Sequence, residues 1–290
     1  MSGPPTRAGG RDRLAARDDP GVSNDAQWLD SMPEVYDRVL GPALFAQFAT
    51  EVAARAASMS PSRVLELAAG TGIGTAELVR ALPAADIVAT DLNAAMVSWA
   101  AERVPEAAWC VADAQDLHFD DRSFDLVVCQ FGVMFFPDKV AAFAETVRVL
   151  SPGGRVLLTV WDTVEGSTLS AALVDSLAVV LPDDLPSFLR RVPHGYTDSD
   201  QIRADLRAGG LVVDSLDRMV LHGRAITPRE FVHGICRGTP TRFDLEQRGS
   251  LDTLIEALAD DMTRRLGAEP IEGELTAFVV TASKPADSAG

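Results

Sequence analysis

Lysine is almost missing: Lys139 and Lys284 are the only two in 290 residues, and 26 basic side chains stand against 42 acidic ones, a net charge of −16. No Lys/Arg-rich stripe interrupts that excess. Nucleic acid phosphates and anionic membrane surfaces repel such a chain, so neither is expected as a partner and a small-molecule substrate is favoured. Cysteine is scarce as well. Cys110, Cys129 and Cys236 form neither a paired framework nor a metal-binding spacing, and are expected to be buried, inert thiols. No clustering of His with Asp points to a metal. No apolar run reaches the roughly 18 residues that span a bilayer. Residues 1–21, rich in Gly, Pro, Arg and Asp, lack the apolar core of a signal peptide. A cytoplasmic location is expected. Nothing in the sequence reports the oligomeric state.

What is present is concentrated in one stretch. Val64-Leu65-Glu66-Leu67-Ala68-Ala69-Gly70-Thr71-Gly72-Ile73-Gly74-Thr75 is a short apolar run that ends in a carboxylate and turns through glycines toward a helix. Ile87-Val88-Ala89-Thr90-Asp91 is a second apolar run, ending in another carboxylate. An α/β sheet holds a nucleoside this way. The glycines admit the ligand close to the backbone, and the second acid takes the ribose hydroxyls. The dinucleotide pattern G-x-G-x-x-G is broken, because Thr75 occupies the third glycine position, and Glu66 would repel a pyrophosphate on the helix N-terminus. A carboxylate there suits an ammonium. S-adenosylmethionine (SAM) carries an ammonium, a sulfonium and a ribose diol, and no phosphate.

This loop and Asp91 resemble motifs I and II of the class I SAM-dependent methyltransferases. Downstream, Val111-Ala112-Asp113-Ala114-Gln115-Asp116-Leu117-His118-Phe119 and Ser123-Phe124-Asp125-Leu126-Val127 resemble the family's third and fourth strand region, with His118 where a proline is usual. The match runs over residues 64–161 and is similar to the branch with the ubiquinone/menaquinone-pathway C-methyltransferases and many small-molecule methyltransferases. The resemblance implies methyl transfer to an O, N or C acceptor in bacterial secondary or cofactor metabolism. It also implies that Asp113 accepts from the adenine amino group with the Ala114 amide beside it, and that the Gln130 carbonyl lies near the donor ammonium. Two other readings stay open: a methyltransferase fold using bound SAM for a non-methylating reaction, and a nicotinamide-dependent oxidoreductase. Thr75 and Glu66 weigh against the second.

The fold class expected is α/β, and the resemblance implies a Rossmann-like seven-stranded sheet of order 3-2-1-4-5-7-6, with strand seven antiparallel and helical cap insertions. Alternating apolar runs and helical periods predict strands at 63–67, 86–91, 108–111, 124–129 and 154–161, with helices between. Strands six and seven are expected at 211–222 and 275–282. Residues 1–22 read as a disordered tail. Residues 23–60 read as two N-terminal cap helices, with Pro33 and Pro42 in first turns. Residues 61–290 form the main domain, with cap segments at 162–196 and 225–268.

The expected cofactor-binding set is Tyr36, Glu66, Ala68, Gly70, Thr71, Gly72, Asp91, Leu92, Met96, Asp113, Ala114, Gln130 and Phe131. Tyr36 either covers the methionine end of the cofactor or packs the cap. Leu92 and Met96 either flank adenine or belong to the core. Phe131 and Met134 are expected to line the methyl-transfer channel, since ligands of such sheets bind at the carboxyl ends of strands. Methyl transfer needs alignment and dryness more than a catalytic motif. Where a base is needed, His194 is the first candidate, ahead of His233, Glu230 and His222. Gly238-Thr239-Pro240 resembles a cap turn of the family, without an evident role.

Overall fold

The computed structural model describes residues 32–224 and 226–286; the expected tail at 1–22 lies outside them. Seven strands form one sheet: β1 (Arg63–Glu66), β2 (Asp86–Asp91), β3 (Ala108–Val111), β4 (Phe124–Gln130), β5 (Leu150–Trp161), β6 (Val212–His222) and β7 (Glu274–Ser283). The order is β3-β2-β1-β4-β5-β7-β6, as the family resemblance implies. The first five strands pair in parallel, and β7 runs antiparallel between β5 and β6.

Register decides where the site forms. Glu66 pairs with Ala89 on one side and Val128 on the other. Asp91 and Gln130 therefore each stand two residues beyond the Glu66 level, on flanking strands. The carboxyl ends of β1, β2 and β4 thus carry their polar side chains along one sheet edge, where parallel α/β sheets leave a crevice. The strands below that edge are buried on both faces: Val64, Leu65, Val127, Val128 and Leu157 are fully enclosed, as parallel strands covered by helices must be.

The N-terminal helices differ from expectation. In place of two helices there is one helical path: α1 (Met32–Val35), a wide π-type stretch at Tyr36–Phe45, and α2 (Ala46–Met59). Pro42 sits inside it. An α-helix there would set the proline ring against the carbonyl four residues back. The path widens instead, and the Ala46 N–H donates to the Gly41 carbonyl, five residues earlier. Gly41 also lets the stretch approach Ile73, whose Cδ1 would lie 2.7 Å from a Cβ added there. α2 is not part of a cap. Its Val52, Ala53 and Ala56 pack with Val64, Leu126 and Leu157 against the sheet.

The remaining helices are α3 (Ile73–Ala81), α4 (Ala94–Arg103), α5 (Lys139–Val149), α6 (Thr168–Val180), α7 (Phe188–Arg191), α8 (Ser199–Ala208), α9 (Pro228–Gly238), α10 (Thr241–Glu246) and α11 (Leu251–Leu266). α9 begins with Thr227 and Glu230 capping one another and Pro228 in the first turn, a strong local start signal. Two of its glycines receive the N-terminal path. A Cβ on Gly234 would meet Val39 and Leu40 within 2.8 Å, and one on Gly238 would come 3.1 Å from the Tyr36 backbone nitrogen. The GTP turn has this physical role: Gly238 lets α9 reach the start of the π-type stretch. No helix among the described residues is long and apolar enough to cross a membrane.

Candidate active site

A cavity of about 360 Å³ opens along the sheet edge, roofed by the π-type stretch, α7 and the α9–α10 turn. Its floor is the loop between β1 and α3. Gly70 adopts φ +57° and Gly72 φ +88°, left-handed values that glycine takes without side-chain strain. Ala68 and Phe131 adopt φ +52° and +54° without that freedom. Both line the cavity, and strained backbone of this kind collects at functional sites. The strain at Phe131 accompanies a close approach: a Cβ on the next residue, Gly132, would lie 2.4 Å from the Ala68 Cβ.

Glu66 is only 1% exposed. Its Oε2 accepts from the Thr75 hydroxyl at 2.6 Å, so the residue that breaks the dinucleotide pattern is the carboxylate's partner. Its Oε1 lies 2.5 Å from where a Gly74 Cβ would be, and the Gln130 Oε1 lies 3.5 Å from the same point. Burial pushes the Glu66 carboxyl up to about 7; the Thr75 hydrogen bond opposes this and the nearby Asp91 adds to it. Gln130 Nε2 donates to the Phe45 carbonyl at 3.1 Å, which leaves its buried Oε1 with no hydrogen-bond partner.

Asp91 ties the loop to β2. Oδ2 accepts from the Gly70 N–H and Oδ1 from the Asn93 N–H, both at 2.8 Å. Burial raises its pKa, and the backbone N–H groups of Asn93, Gly70 and Leu92 counter that. Each carboxylate oxygen keeps a second lone pair for a ligand hydroxyl. The Asn93 side chain caps α4 through the Ala95 and Met96 N–H groups, setting the buried Met96 against the cavity, while Leu92 is 61% exposed at its rim. Asp113 Oδ1 accepts from the backbone and side-chain nitrogens of Gln115. The loop that follows is held by Arg148 on α5, which donates to the carbonyls of Leu117 and Phe119.

The structure brings Tyr36, Glu66, Ala68, Gly70, Thr71, Asp91, Leu92, Met96, Asp113, Ala114, Gln130, Phe131 and His194 together around this one cavity. Gly72 is the exception. A Cβ there would meet Ala100 and the Trp109 ring at 3.2 Å, beneath the loop and away from the ligand space. Gly72→Ala is therefore expected to lose about 1–3 kcal/mol of stability through its left-handed backbone, read by chemical denaturation, with no ligand contact removed. Met134 is buried outside the lining. The other candidate bases are elsewhere: Glu230 caps α9, His233 faces Glu256 at 3.5 Å and His222 faces Glu274 at 4.0 Å. Tyr36 stacks on Phe45 with ring centroids 5.0 Å apart. Burial, with Asp91 and Asp37 nearby, raises its pKa and keeps the phenol neutral.

Sequence reasoning found Phe131 but missed the rings packed around it. Phe45 meets Phe131 and Trp161, and Phe131 stacks on Trp161 with centroids 3.7 Å apart and planes 11° from parallel. Trp161 ends β5, and that position at a strand's carboxyl end was the available signal. Phe45, Phe188 and Ile235 reach the site only through helix packing and carried no local mark. The cavity wall thus divides into an acidic half, with Glu66, Asp91 and Asp113, and an apolar half of rings. Among the described residues, no Lys or Arg lines either half.

Residues 64–154 match the family model described as a methyltransferase domain. A demethylmenaquinone methyltransferase of Beutenbergia cavernae is 41% identical over 101 residues, covering 35% of this chain and 41% of that protein. A ubiquinone/menaquinone biosynthesis C-methyltransferase of Idiomarina loihiensis is 29% identical over 164 residues, 51% of this chain and 65% of that protein. The chain spans roughly half the length of the curated relatives it matches. Among solved structures, the [4+2]-cyclase SpnF superposes with a TM-score of 0.56 at 18% identity, covering 89% of this chain and 93% of that one. A Haemonchus contortus phosphoethanolamine N-methyltransferase 2 in complex with S-adenosyl-L-methionine superposes with a TM-score of 0.55 at 19% identity, covering 91% and 60%. At these identities the likeness is one of fold.

Proposed function

We propose that this protein transfers a methyl group from S-adenosylmethionine to a small-molecule acceptor. One observation carries the reading: three carboxylates and an unpartnered amide oxygen line the cavity, with no cationic side chain beside them among the described residues. A ligand bearing phosphates would meet repulsion there, whereas a cation and a diol find acceptors. The residues fit the cofactor in kind. Glu66 and Gln130 Oε1 converge where only Gly74 leaves room, suiting an ammonium. Asp91 retains lone pairs for two hydroxyls, and Asp113 suits the adenine amino group. The cofactor supplies an activated methyl on sulfur. The chain supplies position, a dry aromatic wall and a fixed orientation for the acceptor. The relatives named for demethylmenaquinone methylation agree with an apolar, ring-bearing acceptor held against Phe45, Phe131 and Trp161.

Calorimetry tests the assignment directly. The protein is expected to bind SAM and S-adenosylhomocysteine, and not NAD. Binding of NAD without SAM would overturn it. Formation of S-adenosylhomocysteine only when an acceptor is supplied, followed by mass spectrometry, separates transfer from non-methylating use of the cofactor. Asp113→Asn tests the adenine end. An amide oxygen still accepts, so a loss of only about 1–2 kcal/mol is expected, with weaker discrimination against the inosine analogue of SAM. Wild-type protein that binds both analogues equally would remove Asp113 from base recognition.

A further inference from the structure

We propose that the acceptor is a planar molecule with an acidic hydroxyl, a phenol or enol, and that His194 Nε2 takes the proton from that hydroxyl; this rests on the methyltransferase reading above. His194 lines the cavity beside Trp161, Phe188 and Leu189, with its ring centroid 6.2 Å from that of Trp161. Its Nδ1 lies 2.7 Å from the Asp162 carbonyl oxygen. A carbonyl can only accept, so Nδ1 must carry the hydrogen and Nε2 must hold the lone pair. Among the described residues Nε2 has no hydrogen-bond partner. That tautomer is held in place from behind. Arg218 Nε donates to Asp162 Oδ2 at 2.6 Å and the Thr163 N–H donates to Oδ1 at 2.7 Å, which fixes the peptide whose carbonyl the imidazole uses. The His194 N–H donates to the Leu189 carbonyl at 3.0 Å. Gly195 lets the turn close, since a Cβ there would strike the Arg191 carbonyl at 2.0 Å.

The surroundings keep the imidazole neutral and ready to accept. Burial lowers its pKa most; among the charges facing it, Glu165 and Asp162 raise it and Arg190 lowers it. Glu165 and Arg190 neutralise one another at 2.6 Å, as do Asp162 and Arg218. Among the described residues, the rest of this half of the cavity is rings and aliphatic side chains, apart from the Ser167 and Ser170 hydroxyls bonded to each other at 3.1 Å and Thr239, whose hydroxyl donates to the Ile235 carbonyl at 2.7 Å. A flat apolar acceptor with one protic group satisfies that inventory. In the step itself, the hydroxyl proton moves to Nε2 and the oxygen's electron pair forms the bond to the methyl carbon. The bond from that carbon to sulfur breaks with its pair left on sulfur, and the imidazolium later returns its proton to water.

The test uses 4-nitrophenol, whose ionised form absorbs in the visible. The full chain is loaded with sinefungin, a non-transferring analogue with a protonated amine in place of the sulfonium. In wild type, the bound probe is expected to ionise at least one pH unit below the free probe, a tenfold shift. That shift should vanish in His194→Ala and in His194→Gln, while sinefungin affinity stays within about twofold. Nitrogen-15 spectra of the free protein at neutral pH should show Nδ1 protonated and Nε2 bare. The opposite tautomer, or equal probe ionisation in wild type and both variants, would overturn the role of His194. Failure of 4-nitrophenol to bind a sinefungin-loaded protein would overturn the acceptor class. Failure of wild type to bind SAM at all would instead bring down the methyltransferase reading, and this proposal with it.

Discussion

Asp91→Ala is expected to weaken SAM binding by about 2–5 kcal/mol, roughly thirtyfold to several thousandfold, because a hydrogen bond to a charged group contributes about 1.5–3 kcal/mol and this carboxylate can accept two from a ribose diol. The structure adds a second route to the same loss. Asp91 already binds the Gly70 and Asn93 N–H groups at 2.8 Å, so the alanine also releases the glycine loop from β2. Asp91→Asn separates the two effects. Its remaining carbonyl oxygen can hold one N–H, while its amide group no longer accepts from a hydroxyl. Calorimetry on folded variants decides the matter. An unchanged dissociation constant for Asp91→Ala would remove the residue from the cofactor site.

The second large effect is a pH dependence centred on Glu66. Its carboxyl rises from 4.5 to about 7 in the folded protein, so the native state holds a proton that the unfolded chain gives up in that interval. The associated stability is fully present below about pH 4.5 and is lost as pH rises through 7. Its size is roughly 3 kcal/mol, as a shift of this extent implies. Glu66→Gln should abolish that part of the pH profile of denaturation. A cationic ligand reverses the preference, because an ammonium beside Glu66 favours the ionised form. Affinity for SAM should therefore climb by up to tenfold per pH unit between about pH 5 and 7 and then level. Binding near pH 6 should release about one proton, measurable by calorimetry in two buffers of different ionisation enthalpy. Zero proton release, or the same pH profile in Glu66→Gln, would show that Glu66 does not face the charge.

These two residues also mark how much could be read before any coordinates. Glu66 and Asp91 each close an apolar run, and parallel strands present their carboxyl ends at one edge, so the motif and the strand order together locate both acids. The glycine loop and the parallel strands were legible because they depend on contacts close in sequence or on a rule of connection; the strand order and the antiparallel β7 followed from the family resemblance. Thr75 read only as a missing glycine, and its hydroxyl bond to Glu66 needed the fold of the loop to appear.

Other features had no local signature. Gly72 looks like a ligand-facing glycine in a motif rich in them, yet its α-carbon faces Ala100 and Trp109 because α3 starts there and α4 packs beneath. Pro42 reads as a helix start, since the cost of an internal proline is known locally, whereas the widened path that accommodates it depends on packing against Ile73, Gly234 and Gly238. His194 was the first candidate base, but nothing in the sequence showed its tautomer or its neighbours. Only the tertiary structure sets its Nδ1 on the Asp162 carbonyl and gives it rings for neighbours.

The sequence by itself determined the strands, the acidic half of the cavity and the class of cofactor that half can hold, because these follow from periodicity, turn chemistry and charge over a short span, whereas the strand order followed from the family resemblance. The tertiary structure decided the other half, of which the sequence had offered Phe131 and His194 as candidates without their neighbours. Phe45, Phe131, Trp161, Phe188, His194 and Ile235 come from six separate elements or turns. Apolar side chains of that kind look alike in sequence whether they fill a core or line a pocket, and only long-range packing leaves a space between them.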